Sequence, residues 1–121
     1  MQYIFILGRI LMGGFFLNSG FNHLKNLKDT AGYAASKGIP MPKLAVFITG
    51  LMLILGGLGI IFLFHMALAL MLIILFLIPT TIMMHQYWRA TDPMQKMGEM
   101  INFYKNLGLL GAALMLFALF S

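Results

Sequence analysis

The chain has no cysteine, and Asp and Glu together number 3 among its 121 residues. The missing thiols exclude disulfides, thiolate metal sites and dithiol redox relays within the chain. Charge of either sign is scarce: 9% of residues are Asp, Glu, Lys or Arg, where an ordinary soluble domain carries about 25%. A water-soluble fold of this length has too little interior to hide the 61% that are hydrophobic. Fingerprints of common soluble chemistry are missing as well. There is no Ser-His-Asp arrangement and no P-loop. The run Gly56-Gly57-Leu58-Gly59 lies inside an apolar segment, without the strand–turn–helix setting that dinucleotide binding needs. His23, His65 and His85 share no i,i+3 or i,i+4 spacing, which speaks against a metal or haem site.

What fills the chain instead is hydrocarbon. From Leu44 to Trp88 there is no Lys, Arg, Asp or Glu. A helix crosses the roughly 30 Å hydrocarbon core in about 20 residues. The stretch is therefore long enough for two crossings and predicts a hairpin of helices turning near Phe64-His65. One further apolar segment lies on each side. The expectation is a single domain over residues 1–121: all-α, an integral membrane four-helix bundle, with spans at about residues 2–22, 44–64, 66–86 and 101–120. The first segment lacks the basic leading region of a signal peptide, and Asn18-Ser19-Gly20 is a poor cleavage site, so it is read as a retained span.

Within the spans, small residues mark where helices can approach closely: Gly8, Gly13, Gly14 and Gly20 in the first, Gly50, Gly56, Gly57 and Gly59 in the second, Gly108 and Ala112 in the fourth. Pro79 removes a backbone donor from the third and predicts a kink, with Thr80 or Thr81 placed to satisfy the freed carbonyl. In the first loop, Asp29 or Thr30 can cap a short helix over Ala31 to Lys37, which Gly38 and Pro40 would end. In the second, Asp92-Pro93-Met94-Gln95 offers an acidic N-cap, proline at the first helical position and Gln two residues on. A helix should begin there and run into the fourth span.

The basic residues are unevenly placed. Lys25, Lys28, Lys37 and Lys43 cluster around the first loop and Arg89, Lys96 and Lys105 around the second, while the turn near His65 has none. Basic residues accumulate in cytoplasmic loops, so residues 23–43 and 87–100 are expected in the cytoplasm and both termini outside. The same rule explains the net charge of +5 without nucleic acid, which is not expected as a partner.

Gly8-Arg9-Ile10-Leu11 with Phe16-Leu17-Asn18-Ser19-Gly20 resembles the opening of DoxX-family membrane proteins. The segment from Tyr33 to Pro40, then Thr49-Gly50 and Gly56-Gly57, resembles that family's middle. Met84-His85-Gln86-Tyr87-Trp88 is similar to its His-x-x-Trp close of the third helix, and Lys105-Asn106-Leu107-Gly108 to its fourth. The resemblance implies a four-helix membrane bundle. It also implies a link to quinone chemistry, since the family is named for a small subunit of an archaeal quinone-linked thiosulfate oxidoreductase. Two departures stand out. Leu53 occupies the place where the family commonly carries a glutamate, which puts a proton relay through Arg9 and that acid in doubt. Phe64-His65-Met66 stands where a Thr-Arg pair is usual.

Four residues are candidates for a ligand site: Arg9, His85, Trp88 and Asn106. Burying a charge near mid-membrane costs at least ~2.5 kcal/mol, so Arg9 inside the first span is either functional or snorkels outward over a path of about 10 Å. No Asp or Glu falls in any span to pair with it. His85 shares a helix face with Thr81 and Trp88 and could donate to a quinone oxygen or pass a proton; the plainer alternative is an interfacial histidine bonded to a loop carbonyl. Asn106, with Asn18 and Asn102, suits helix–helix contacts at least as well as a ligand. Arg9 and His85 are expected near opposite membrane faces. The function expected is a membrane component linked to quinone redox chemistry or an anchor subunit for a soluble or membrane oxidoreductase. It would have no built-in cofactor, and a quinone or bound lipid would be its ligand. The alternative is a lipid-binding or assembly factor without catalysis. The glycines also leave a homo-oligomer open. The chain's lack of cysteine makes its topology directly testable: a cysteine placed by Ser121→Cys should react with an impermeant maleimide from outside the cell, and one placed by Ser36→Cys should not. The reverse pattern would overturn the orientation.

Overall fold

The computed structural model describes Met1–Ser121 and contains helices and turns only. Five α-helices form: α1 Gln2–Lys25, α2 Leu27–Ser36, α3 Pro42–Phe62, α4 Met66–Met84 and α5 Pro93–Phe120, with a 3-10 turn at Tyr87–Arg89. Four of them, α1, α3, α4 with its 3-10 extension, and α5, are long and apolar enough to cross a membrane. Large apolar side chains stand exposed on each, Leu11 at 65%, Leu55 at 59%, Leu75 at 53% and Leu119 at 78%. Such a surface is stable only where hydrocarbon is the solvent.

The helices alternate in direction. α1 packs on α3, α3 on α4 and α4 on α5. α1 and α5 meet through long side chains: Phe5 stacks on Phe120 at 6.1 Å and Lys105 Nζ lies 5.7 Å from the Phe15 ring. Phe16, Leu53, Ile60, Leu70, Ile73, Leu77 and Ala113 form the centre of the bundle. The α1–α3 contact is the tightest. A Cβ at Gly13 would lie 2.6 Å from the Gly57 carbonyl oxygen, and one at Gly20 would lie 2.7 Å from that of Gly50. The paired glycines are spaced seven apart on each helix, two turns, so they line one seam. Gly56 and Gly59 face the other way, toward Ile73 and Ala69 of α4. Gly8, Gly14 and Gly108 have nothing within 4 Å of an added Cβ, so the close approaches expected at those three are not made.

The termini of the elements follow local chemistry. Asp92 accepts a hydrogen bond from the Gln95 backbone N–H at 3.0 Å, the expected cap of α5. The α3–α4 turn is tight because Leu63 and His65 both adopt the left-handed conformation, and the Phe64 N–H returns to the Gly59 carbonyl at 2.9 Å. Four sequence expectations shift. α3 ends at Phe62, two residues before the expected boundary, because that turn closes on Gly59. α4 ends at Met84, since His85 leaves helical geometry before the 3-10 turn. The loop helix begins at Leu27, without an Asp29 or Thr30 cap: only Asn26 interrupts the path from α1, and its own backbone still bonds to Asn22 and Thr30. Near Pro79 neither threonine bonds a freed carbonyl; Thr81 Oγ1 is buried without a partner. The seam sets a test. Gly13→Ala or Gly57→Ala should destabilise the purified protein by about 1–3 kcal/mol, the range for overpacking. Gly8→Ala and Gly14→Ala should leave its thermal midpoint nearly unchanged.

Candidate functional site

The seam brings the end of α1 against the start of α3, so α2 must lie across the loop end of the bundle. It lies with Ala31 and Ala34 packed on Val46. Tyr33 and Lys37, one turn apart on α2, then share a face and reach α5. Tyr33 donates from its hydroxyl to Glu99 Oε1 at 3.0 Å, and Lys37 Nζ donates to Glu99 Oε2 at 3.2 Å. From the end of α4, His85 places Nδ1 3.8 Å from Glu99 Oε2. That separation is too long for a hydrogen bond, and Nδ1 is buried without a partner. Three helices thus converge on one carboxylate, and Glu99 is 7% exposed.

This is the centre that the sequence did not disclose. Glu99 lies just before the fourth apolar window, in the loop portion of the helix expected to start at Pro93; that helix forms as α5, but the burial of Glu99 was not foreseen. The expectation that His85 bonds a loop carbonyl is replaced by its approach to this acid. Tyr33 lies outside the spans, and its phenol is pushed up to about 12 by burial, then by the hydrogen bond to Glu99 and the carboxylate's charge.

The other candidates divide. Asn106 is buried on α5, seven residues from Glu99 and so on the same face. On α4, Thr81 sits one turn before His85. Polar side chains therefore run inward from Glu99 along both helices. Trp88 is 53% exposed and packs edge-on against Tyr87 and Phe103, with ring centres 5.3 and 5.6 Å away, the arrangement of a headgroup-level aromatic belt. Arg9 lies at the other end of the bundle, where Phe5 meets Phe120. Its guanidinium carbon is 5.1 Å from the Phe5 ring centre, and Nε is buried without a partner. Arg9 and His85 are thus separated as expected. Leu53, where the resemblance leads one to expect a glutamate, is fully buried among apolar core residues. No three His, Asp or Glu side chains converge closely enough to hold a metal ion.

Taken together, four apolar spans and a loop helix clamped to the bundle end define a small multi-pass membrane protein. The pattern of the DoxX family matches residues 4–86, and the chain belongs to that family. It is 32% identical over 114 residues to the inner membrane protein YphA of Escherichia coli (strain K12), a match that covers 93% of this chain and 80% of that protein. No solved structure matches. Glu99 lies outside the segment that the family pattern matches.

The Tyr33 shift has a definite sign. A phenol raised above its ordinary 10.0 favours the neutral form in the folded state. The stability it contributes is full below pH 10 and is lost as pH rises toward 12. Melting curves should show this alkaline loss in the wild type. Tyr33→Phe should abolish that part of it, at a cost near neutrality of about 1 kcal/mol for the lost hydrogen bond. Identical alkaline profiles for the two proteins would refute the contact.

Proposed function

We propose that this DoxX-family protein sits in the inner membrane as a component associated with quinone-linked redox chemistry, and that the cluster around Glu99 is where a quinone headgroup meets protons. The observation that carries the reading is the buried Glu99 carboxylate, surrounded by a phenol, an ammonium and an imidazole at the membrane border. Proton exchange is what such a set can do. Reducing a quinone takes up two protons with two electrons, and oxidising a quinol releases both; the electrons would pass from or to an associated oxidoreductase anchored by this chain. In this reading His85 and Glu99 hold and pass the proton, Tyr33 and Lys37 fix the carboxylate, Asn106 extends the polar path inward and Trp88 sets the depth. Arg9, at the far end, binds a lipid phosphate or the anchored partner. The loops carrying Lys37 and Arg89 face the cytoplasm.

A second reading has its own support. A cavity of about 480 Å³ beside the α3–α4 turn is lined by Leu55, Leu58, Phe62, Phe64 and Leu68, with His65 as the one titratable group. That lining suits an acyl chain and favours a lipid-binding or assembly factor. Native mass spectrometry of gently purified protein separates the two. Under the first reading, wild type retains a quinone, while Glu99→Gln and His85→Ala retain at least about tenfold less. Phospholipid alone, equally retained by all three, would establish the second reading and remove the first.

A further inference from the structure

Two charged side chains of α5 stand near its entry into the bilayer, and they turn different ways. Glu99 turns to α2 and α4, where both of its oxygens have donors. Lys105, six residues on, turns to α1, and its Nζ lies 5.7 Å from the centre of the Phe15 ring. A ring face attracts a cation, yet it gives the three N–H donors of an ammonium no oxygen to bond. None of the chain's three acids, Asp29, Asp92 and Glu99, pairs with Lys105, and α1 has no acid anywhere along its length. Nor does Lys105 belong to an aqueous loop. The headgroup-level aromatics of α5 are Phe103 and Tyr104, packed on Trp88 and Tyr87. Lys105 stands just inward of them, inside the spanning helix. An unpaired charge at that depth calls for a counter-charge from outside the chain.

The same place has room for one. α1 is held by α3 and α5 by α4, while α1 and α5 meet through the Phe5–Phe120 stack at one end and Lys105 over Phe15 toward the other. Asn102 precedes Phe120 by eighteen residues, five full turns, and Ser19 follows Phe5 by fourteen, close to four. Both therefore lie on the lines joined by that stack and face the gap at its loop end. Each is partly exposed, and neither side chain makes a hydrogen bond within the protein. We infer that the gap between α1 and α5 at the loop end holds an anionic phospholipid. Its phosphate meets the Lys105 ammonium and the Ser19 and Asn102 donors, and an acyl chain runs down the gap toward Phe5 and Phe120. Phosphate oxygens only accept, and all three side chains can donate. A zwitterionic lipid brings a cation of its own beside Lys105 with no acid to receive it, so a net negative head is preferred. The site goes beyond the redox reading: it lies on the α1 side of α5, away from the Glu99 cluster, and stands under either reading of that cluster.

The test titrates the full chain, purified and stripped of lipid, with phosphatidylglycerol and with phosphatidylcholine of the same acyl chains, and reads the first binding step by native mass spectrometry. Wild type should bind phosphatidylglycerol about fivefold more tightly, the worth of one basic side chain at an anionic membrane surface. Lys105→Gln should bring the ratio toward one, and Lys105→Arg, which keeps the charge, should preserve it. Lys96→Gln removes an exposed cation from the first turn of α5 and should leave the ratio as in wild type. Excess glycerol phosphate, a head without chains, should not displace the lipid. Circular dichroism checks that each variant keeps its helices; all three substitutions are at exposed positions. Equal binding of the two lipids by wild type overturns the inference. So does a preference that survives Lys105→Gln, a loss as large in Lys96→Gln, or displacement by glycerol phosphate. No variant touches Glu99 or His85, so failure here is separable from failure of the quinone-retention experiment.

Discussion

Backbone-to-backbone contact between α1 and α3 is the constraint from which the rest of the arrangement follows. Lipid tails are as apolar as the side chains they would replace, so association within the bilayer relies on close packing rather than on removal of apolar surface from water. Gly13 and Gly20 against Gly57 and Gly50 provide that packing: each carbonyl lies where a methyl group would have to be. With α1 and α3 in contact, only Asn26 intervenes before α2 begins. The loop helix is thereby directed over the bundle end rather than away from it. On the other flank α5 packs on α4, and its meeting with α1 is made by Phe5, Phe120, Phe15 and Lys105 side chains.

The placement of α2 governs the polar cluster. Tyr33 and Lys37 on one of its faces close over Glu99. A carboxylate beside apolar helices is expensive unless its oxygens are occupied, and here each oxygen has a donor. The donors come from a helix far away in sequence, so burial of Glu99 is a tertiary event. α2, short and only moderately apolar, is held by its alanines on Val46 and by this polar contact together.

The spans were legible because a charge-free run as long as Leu44–Trp88 has only one comfortable solvent. The α5 start was legible because Asp92, Pro93 and Gln95 each do one local job that needs no knowledge of the fold. His85 and Asn106 were singled out because polar groups stand out against hydrocarbon. Glu99 was not, since it falls at the frayed edge of the hydropathy signal, where acids are ordinary. The choice among glycines was also hidden. In lipid every face of a helix is apolar, so periodicity does not say which side of α1 meets α3; Gly13 and Gly20 look no different in sequence from Gly8 and Gly14. Thr80 or Thr81 was expected to mend the backbone at Pro79; neither does, and Thr81 sits buried without a partner.

The turn between α3 and α4 has a consequence for biosynthesis. Leu63, Phe64 and His65 are the whole connection, and the left-handed conformations of Leu63 and His65 reverse the chain within one residue of either helix. The turn holds no formal charge and no hydrophilic segment, so on either side of the membrane it adds little to the cost of inserting the two helices together. α3 and α4 can therefore leave the ribosome and partition laterally as one preassembled hairpin, Gly56 and Gly59 already against Ile73 and Ala69, before α5 has been synthesised.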